Sequence, residues 1–158
     1  MPVTAENWPQ LCSLFGTAAG IRACWCMCPR VAPGAHKPDE SQNRRKMRLI
    51  VESGDSPGLI ALADDGPVGW CALGPVCNYP QYETEAAPQR GDVWAIPCLY
   101  VKHCANRRAV AAALIESAVV RAADRGARTI EGPAPWWLPG DSAVVALATG
   151  DFLEPPRG

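Results

Sequence analysis

Arg107 and Arg108 stand side by side in the stretch Tyr100–Gly132, where a strand-like run gives way to an alanine-rich helical one. Two guanidiniums at a helix start can serve an anion. The first N–H groups of a helix have no partner within it, and the helix dipole adds partial positive charge. Arginine contributes fixed charge and bidentate donors. The small residues Ala109, Ala111, Ala112 and Ala113 would let a bulky anion such as a pyrophosphate reach the backbone. The plainer alternative is a core helix with two solvated arginines at its start, the commoner fate of arginine.

Thiols form the second concentration of chemistry. Cys24, Cys26 and Cys28 alternate in Cys-Trp-Cys-Met-Cys. In an extended segment they would point the same way. With Cys12 or His36 they would make a tetrahedral thiolate site for Zn²⁺ or Cu⁺. The spacing differs from the usual Cys-x₂-Cys knuckle, so the expectation is that no metal binds. The chain has eight cysteines. At this size and core content it is no disulfide mini-scaffold, and most of them are expected to be reduced. Cys71 and Cys98 lie in apolar runs, where a thiol behaves as a small hydrophobe. Cys98 is accordingly read as a core thiol rather than a nucleophile.

Several elements must position these groups. A first helix is predicted over Thr4–Phe15, capped by Thr4, with Trp8, Leu11, Cys12 and Phe15 on one face and Gly16 and Gly20 ending it. A proline-broken loop follows, spanning Ala23–Lys37. A second helix, Gln42–Glu52, is predicted behind a Ser41 cap. Leu59–Ala63 and Val68–Gly74 alternate as a hairpin around Asp65–Gly66. Residues Asn78–Gly91 are expected to cross the surface. "VWAIPCLYV" reads as a strand that Pro97 must bulge or leave unpaired on one side, because proline has no N–H for a ladder. The helix Arg107–Arg125 carries a small-residue ridge of Val110, Leu114, Ala118 and Ala122, with Gly126 as its C-cap. "ARTIEG" is the next strand, so strand, helix and strand make one parallel crossover. The tail is expected to hold a helix at Ser142–Ala148 and a short strand at Phe152–Leu153.

A chain of 158 residues suits one domain, 1–158 with its core in 4–153. Apolar residues make up 48%, enough for a packed core and against disorder. Net charge is −1, and no basic run is long enough for a nucleic-acid patch. No stretch approaches the ~20 apolar residues of a membrane span. The N-terminus lacks a basic signal-peptide region, so a cytoplasmic location without nucleic-acid or membrane partners is expected.

The order of elements resembles the GNAT superfamily of N-acyltransferases. There, a strand ending in a hydrophobic residue leads to Arg/Gln-x-x-Gly-x-Gly/Ala at a helix start. Val101 ends the strand here. Asn106 falls at the Arg/Gln position, Ala109 at the first glycine and Ala111 at the second small position. Cys-Trp-Cys-Met, Val-Gly-Trp-Cys and "VWAIPCLYV" are similar to stretches of a bacterial subgroup of that superfamily. The resemblance implies an α+β, GNAT-like acyl-CoA N-acyltransferase fold: a mixed central sheet with helices on both faces. It implies acetyl-CoA or another acyl-CoA as co-substrate. It places the pantetheine on the backbone of Leu99 and Val101, and the pyrophosphate on Asn106, Arg107, Arg108, Ala109, Val110 and Ala111.

The acceptor would be an amine of a small molecule or peptide, with a homodimer left open. Trp25, Met27 and Trp94 are the expected acceptor-side wall, with the loop Ala23–Lys37 as lid. Glu131 and Tyr100 are the candidates for proton transfer, with Asp92 and Glu83 near the cleft mouth. The chain departs from the superfamily pattern at Asn106 and Ala109. It also lacks a carboxylate in Trp94–Val101 and a tyrosine in the C-terminal helix. Those departures keep an alternative open: the same fold without acyl transfer, as a metal- or thiol-sensing module or an enzyme of other chemistry.

Overall fold

The computed structural model describes residues 1–18, 21–82, 91–103 and 106–132, and the backbone of 143–146. The first helix, α1, runs Trp8–Thr17. Asn7, not Thr4, organises its start. Asn7 Oδ1 accepts from the Thr4 N–H at 2.8 Å, and its Nδ2 donates to the Pro2 carbonyl at 2.8 Å. Pro9 sits in the first turn, where its missing N–H leaves nothing unpaired. Trp8, Leu11, Leu14 and Phe15 turn inward. Gly16 lies inside the helix rather than ending it, and Gly20 is outside the described residues.

Helix α2 spans Glu40–Glu52. Its cap is Asp39 rather than Ser41: the Asp39 side chain accepts from the Gln42 N–H at 2.9 Å. Met47 and Val51 are buried. So is Asn43, whose amide donates to the carbonyls of Ala23 at 2.8 Å and Lys37 at 2.9 Å. One buried amide thus ties both ends of the long loop to α2.

The hairpin is β1 (Gly58–Ala63) against β2 (Gly66–Ala72), with Gly66 at φ 120° in the turn. β3 is the short continuation Gly74–Pro75. The proline-containing strand is divided. Its first half, β4 (Val93–Ala95), pairs antiparallel with β3 and parallel with β6 (Thr129–Gly132). Its second half, β5 (Leu99–Val101), pairs only with β2 among the described residues. The parallel crossover therefore joins β4 to β6.

Helix α3, Arg107–Ala123, lies between β5 and β6 in sequence and buries Ala111, Leu114, Ala118 and Ala122. Gly69 lets it approach β2: a Cβ there would stand 2.9 Å from Leu114 Cδ1. Gly126 closes α3 at φ 86°, with its N–H on the Ala123 carbonyl and the Ala127 N–H on that of Ala122. That is a Schellman motif, as a left-handed glycine there predicts.

The helix expected at Ser142–Ala148 is replaced by a strand, β7 (Ala143–Ala146), antiparallel to β6. An apolar run this short fits either state, and the free edge of β6 decides. The strand expected at Phe152–Leu153 lies outside the described residues, as do Glu83, Cys104, Trp136 and Trp137. Two cores flank the sheets. One holds Trp8, Phe15, Trp25, Met47 and Trp70 beneath α1 and α2. The other holds Leu59, Cys71, Leu73, Trp94 and Ile130 beneath α3. Helices packed on an antiparallel sheet, β1-β2-β5, and a mixed one, β3-β4-β6-β7, make an α+β molecule.

Candidate functional site

The break at Pro97 is the centre of the site. Cys71 faces Leu99 and Gly74 faces Ala95. Three steps along one chain are thus opposed by four along the other, so a bulge lies within residues 95–99. Side chains show the same slip. Trp94 and Ile96 pack in the α3-side core, yet so do Leu99 and Val101. Cys98 and Tyr100 pack against the opposite core.

The bulge also redirects the backbone. Before it, the Ile96 N–H donates to the Glu131 carbonyl at 2.7 Å, so β4 stays zipped to β6. After it, the Cys98 carbonyl accepts from Ala72 at 2.8 Å and the Lys102 N–H donates to Val68 at 2.8 Å. By the alternation of an antiparallel ladder, the N–H and C=O groups of Leu99 and Val101 turn away from β2. No described strand meets them there. A bulge required by one proline has opened an edge of two residues.

The start of α3 follows within a few residues of that edge. Asn106 precedes the helix without making a side-chain cap; its carbonyl accepts from Val110 at 3.0 Å. Arg107 is half-buried, Arg108 and Ala109 are exposed, and Ala111 is buried. The helix start is thus on the surface, with its first-turn N–H groups uncapped by Asn106 and small residues beside them.

The face of the break opposite α3 gathers polar chemistry. Ile130 is buried beneath α3, so strand alternation places Glu131, which is half-buried, on the other face. Cys98 and Tyr100 share that face. Two tyrosines without a sequence signal join them, because Val76–Asn78 and Pro80–Tyr82 form single 3₁₀ turns that fold the chain inward. The crossing expected at Asn78–Gly91 is therefore no surface excursion in its first part. Tyr79 is fully buried, and its hydroxyl accepts from Arg30 Nη2 at 3.1 Å. Burial pushes the Tyr79 phenol well up, against the pull of Arg30. Tyr82 is half-buried against Tyr79, with ring centroids 6.4 Å apart. Its phenol is also raised, by burial first and then by the negative charge of Cys98 and Glu131. Tyr82, Cys98 and Glu131 are therefore electrostatic neighbours at the break. Asp92, in contrast, precedes β4 at the end away from the break, where its carbonyl accepts from Arg128 and Thr129.

The cysteine loop differs from its expected shape. Trp25 and Cys26 take left-handed conformations, at φ 49° and 56°, and Cys28–Arg30 form a 3₁₀ turn. The segment is coiled, so the alternation of an extended chain, on which the expected shared direction of the three thiols rests, does not hold here. The Cys24 sulfur accepts from the Cys28 N–H at 3.4 Å. Cys26 is fully buried, and contact with the Cys98 thiol, then burial, hold its own thiol well above the ordinary range. Among the described residues, no group of three or more His, Cys, Asp or Glu is arranged to hold a metal ion.

Trp25 and Met27 are core residues, 2% and 3% exposed, and not an open cleft wall. Trp25 meets Phe15 edge-on at 4.9 Å and Trp8 at 5.6 Å. Trp94 is 8% exposed and belongs to the α3-side core. Trp25 and Met27 are thus spent on packing, the default for buried tryptophan, whereas Trp94 also edges a cleft.

No family model and no curated protein matches the sequence. Solved structures do match it in shape. One is described as a probable acetyltransferase: 21% identical, TM-score 0.56, with 86% of this chain and 78% of that chain covered. Another is an N-acetyltransferase from Staphylococcus aureus Mu50, 16% identical, TM-score 0.53, covering 84% and 70%. A third is an aminoglycoside 6'-acetyltransferase type Ii, 16% identical, TM-score 0.50, covering 84% and 68%. At these identities the likeness is one of fold. The chain has the α+β fold of GNAT acetyltransferases.

Proposed function

We propose that this chain is an N-acyltransferase that takes an acyl group from acyl-CoA to an amine. The observation that carries this is the edge at Leu99 and Val101, opened by the bulge at Pro97 and followed directly by a surface helix start that the Asn106 side chain does not cap. Pantetheine has two amides. They match the outward backbone groups of Leu99 and Val101, as an added strand would. The pyrophosphate then falls on residues Asn106–Ala111, where helix N–H groups, Arg107 and Arg108 neutralise it.

The thioester would lie at the break. An amine entering from the Tyr82 side attacks its carbonyl carbon, and the C–S bond of the tetrahedral adduct then breaks. Glu131 takes the proton that the nitrogen must lose, through a water. Tyr82 carries its proton at neutral pH, as a phenol does, so it can give a proton to the departing thiolate. Tyr100 is the second candidate on that face, although its ring packs against the α1–α2 core. Such groups contribute about 10²–10⁴-fold; holding the reactants together contributes the rest.

Acetyl-CoA should raise the melting temperature of the purified protein, since a ligand that binds only the folded chain stabilises it. Replacing Arg107 and Arg108 together by alanine should weaken acetyl-CoA binding about tenfold, the scale of one charge-assisted hydrogen bond. An unchanged melting temperature at millimolar acetyl-CoA would overturn the proposal. The contact between the Cys26 and Cys98 thiols favours a second reading, a thiol-sensing protein of this fold. Its mark would be a Cys26–Cys98 disulfide on mild oxidation in a chain that ignores acetyl-CoA.

A further inference from the structure

A cleft of about 550 Å³ lies at the other half of the divided strand, beside Trp94 and away from the open edge. Its walls come from distant parts of the chain. Arg30 arrives from the loop after α1, Ile50 from α2, Asp55 from the turn before β1, Leu73 from the end of β2 and Arg125 from the end of α3. Three of these carry charge, and none is in an ion pair among the described residues, where the pairs are Arg22–Glu40 and Arg48–Glu52.

Arg30 is the unusual member. It is half-buried and held in place twice: Nη2 donates to the Tyr79 hydroxyl at 3.1 Å, and the guanidinium lies 4.8 Å from the Tyr79 ring centroid. Neither contact neutralises it. Among the described residues its buried Nε has no acceptor, and neither has the buried indole N–H of Trp94. Gly74, also in the wall, permits this arrangement, since a Cβ there would stand 3.2 Å from the Tyr79 hydroxyl. A partly desolvated cation fixed in position without a counter-ion is costly, and a matching anion relieves that cost.

We infer that this cleft binds a small monocarboxylate with an apolar body. Arg30 and Arg125 receive the carboxylate, and Ile50, Leu73 and Trp94 receive the body. Asp55 sets the charge: two cations and one anion leave a single positive charge, which suits a monoanion and disfavours a phosphate dianion. The planar fork of arginine matches a carboxylate in two-point contact. This site does not depend on acyl transfer, because it shares no residue with the open edge or the start of α3.

Calorimetry on the full chain tests the inference, with benzoate and phenylpropionate as probes. Benzyl alcohol and inorganic phosphate serve as controls. Both carboxylates should bind, and both controls should bind more weakly. Arg30→Gln and Arg125→Gln should each weaken carboxylate binding about tenfold. Asp55→Asn should improve the binding of phosphate. Arg125 is exposed, so its variant folds even if Arg30→Gln does not. The acetyl-CoA thermal shift should survive in every variant, which separates failure here from failure of the acyltransferase proposal. Carboxylate binding that is undetectable at millimolar concentration, that matches benzyl alcohol, or that ignores Arg125→Gln would overturn the inference.

Discussion

Cys71, Cys26 and Tyr79 are weak acids sealed within the protein, and each has its ionisation pushed upward. For Cys71 and Tyr79 the first cause is burial; for Cys26 it is the contact with Cys98, followed by burial. Unfolding returns them to ordinary values of about 8.5 for a thiol and about 10 for a phenol. Their folded values lie above their unfolded ones, so the folded chain holds more protons at alkaline pH. Their contribution to stability is complete below about pH 8.5 and is lost as pH rises toward the folded values. The urea midpoint should therefore fall between pH 7 and pH 10. Cys71→Ala should make that fall shallower, because one of the three groups is gone. A midpoint that rises over this interval would contradict the assignment.

Pro97 turns one strand into two elements, and its meaning was legible in the sequence because proline in a β-rich run has few outcomes. It lacks an N–H, so the ladder fails there, and both the bulge and the open edge follow. Pro97→Val restores the donor and favours a continuous strand. The edge at Leu99 and Val101 should then tend to close on β6, and acetyl-CoA affinity should fall about three- to tenfold, the loss of roughly one backbone hydrogen bond. Unchanged affinity with an unchanged fold would show that the edge does not receive the pantetheine.

Other elements were legible for similar reasons. The hairpin alternates around Asp65–Gly66, and α3 carries a small-residue ridge closed by a glycine that takes a left-handed turn. Boundaries were less legible. Thr4 and Asn7 both suit a cap, as do Asp39 and Ser41, and only tertiary contacts choose between them. The coil of Cys-Trp-Cys-Met-Cys had no local signal at all. Left-handed residues usually announce themselves as glycine or asparagine, and here they are Trp25 and Cys26. Tyr79 and Tyr82 reach the break through 3₁₀ turns that a polar, proline-containing stretch does not reveal.

At the scale of the molecule, the sheets separate two tasks. The α3 side combines a core with the helix start and the open edge proposed for acyl-CoA. The other side holds the aromatic core in which Phe15 meets Trp70 edge-on at 5.5 Å and Trp25 at 4.9 Å. Trp25 connects α1, the long loop and, through the Arg44 guanidinium 5.7 Å from its ring centroid, α2. Its backbone is left-handed, a conformation that a bulky residue holds only when its surroundings insist. The packing of the ring supplies that insistence. Were Trp25 an acceptor contact, its loss would raise the KM for the amine and leave the fold intact. As a core residue it should behave differently. Trp25→Ala should lower the free energy of unfolding by about 3–5 kcal/mol, the range for removing a buried aromatic side chain. Trp25→Phe should recover part of that loss, because a smaller ring still meets Phe15 and Trp8. Urea titration checks both. A Trp25→Ala variant as stable as the parent would return this residue to the acceptor site and leave its burial without an energetic role.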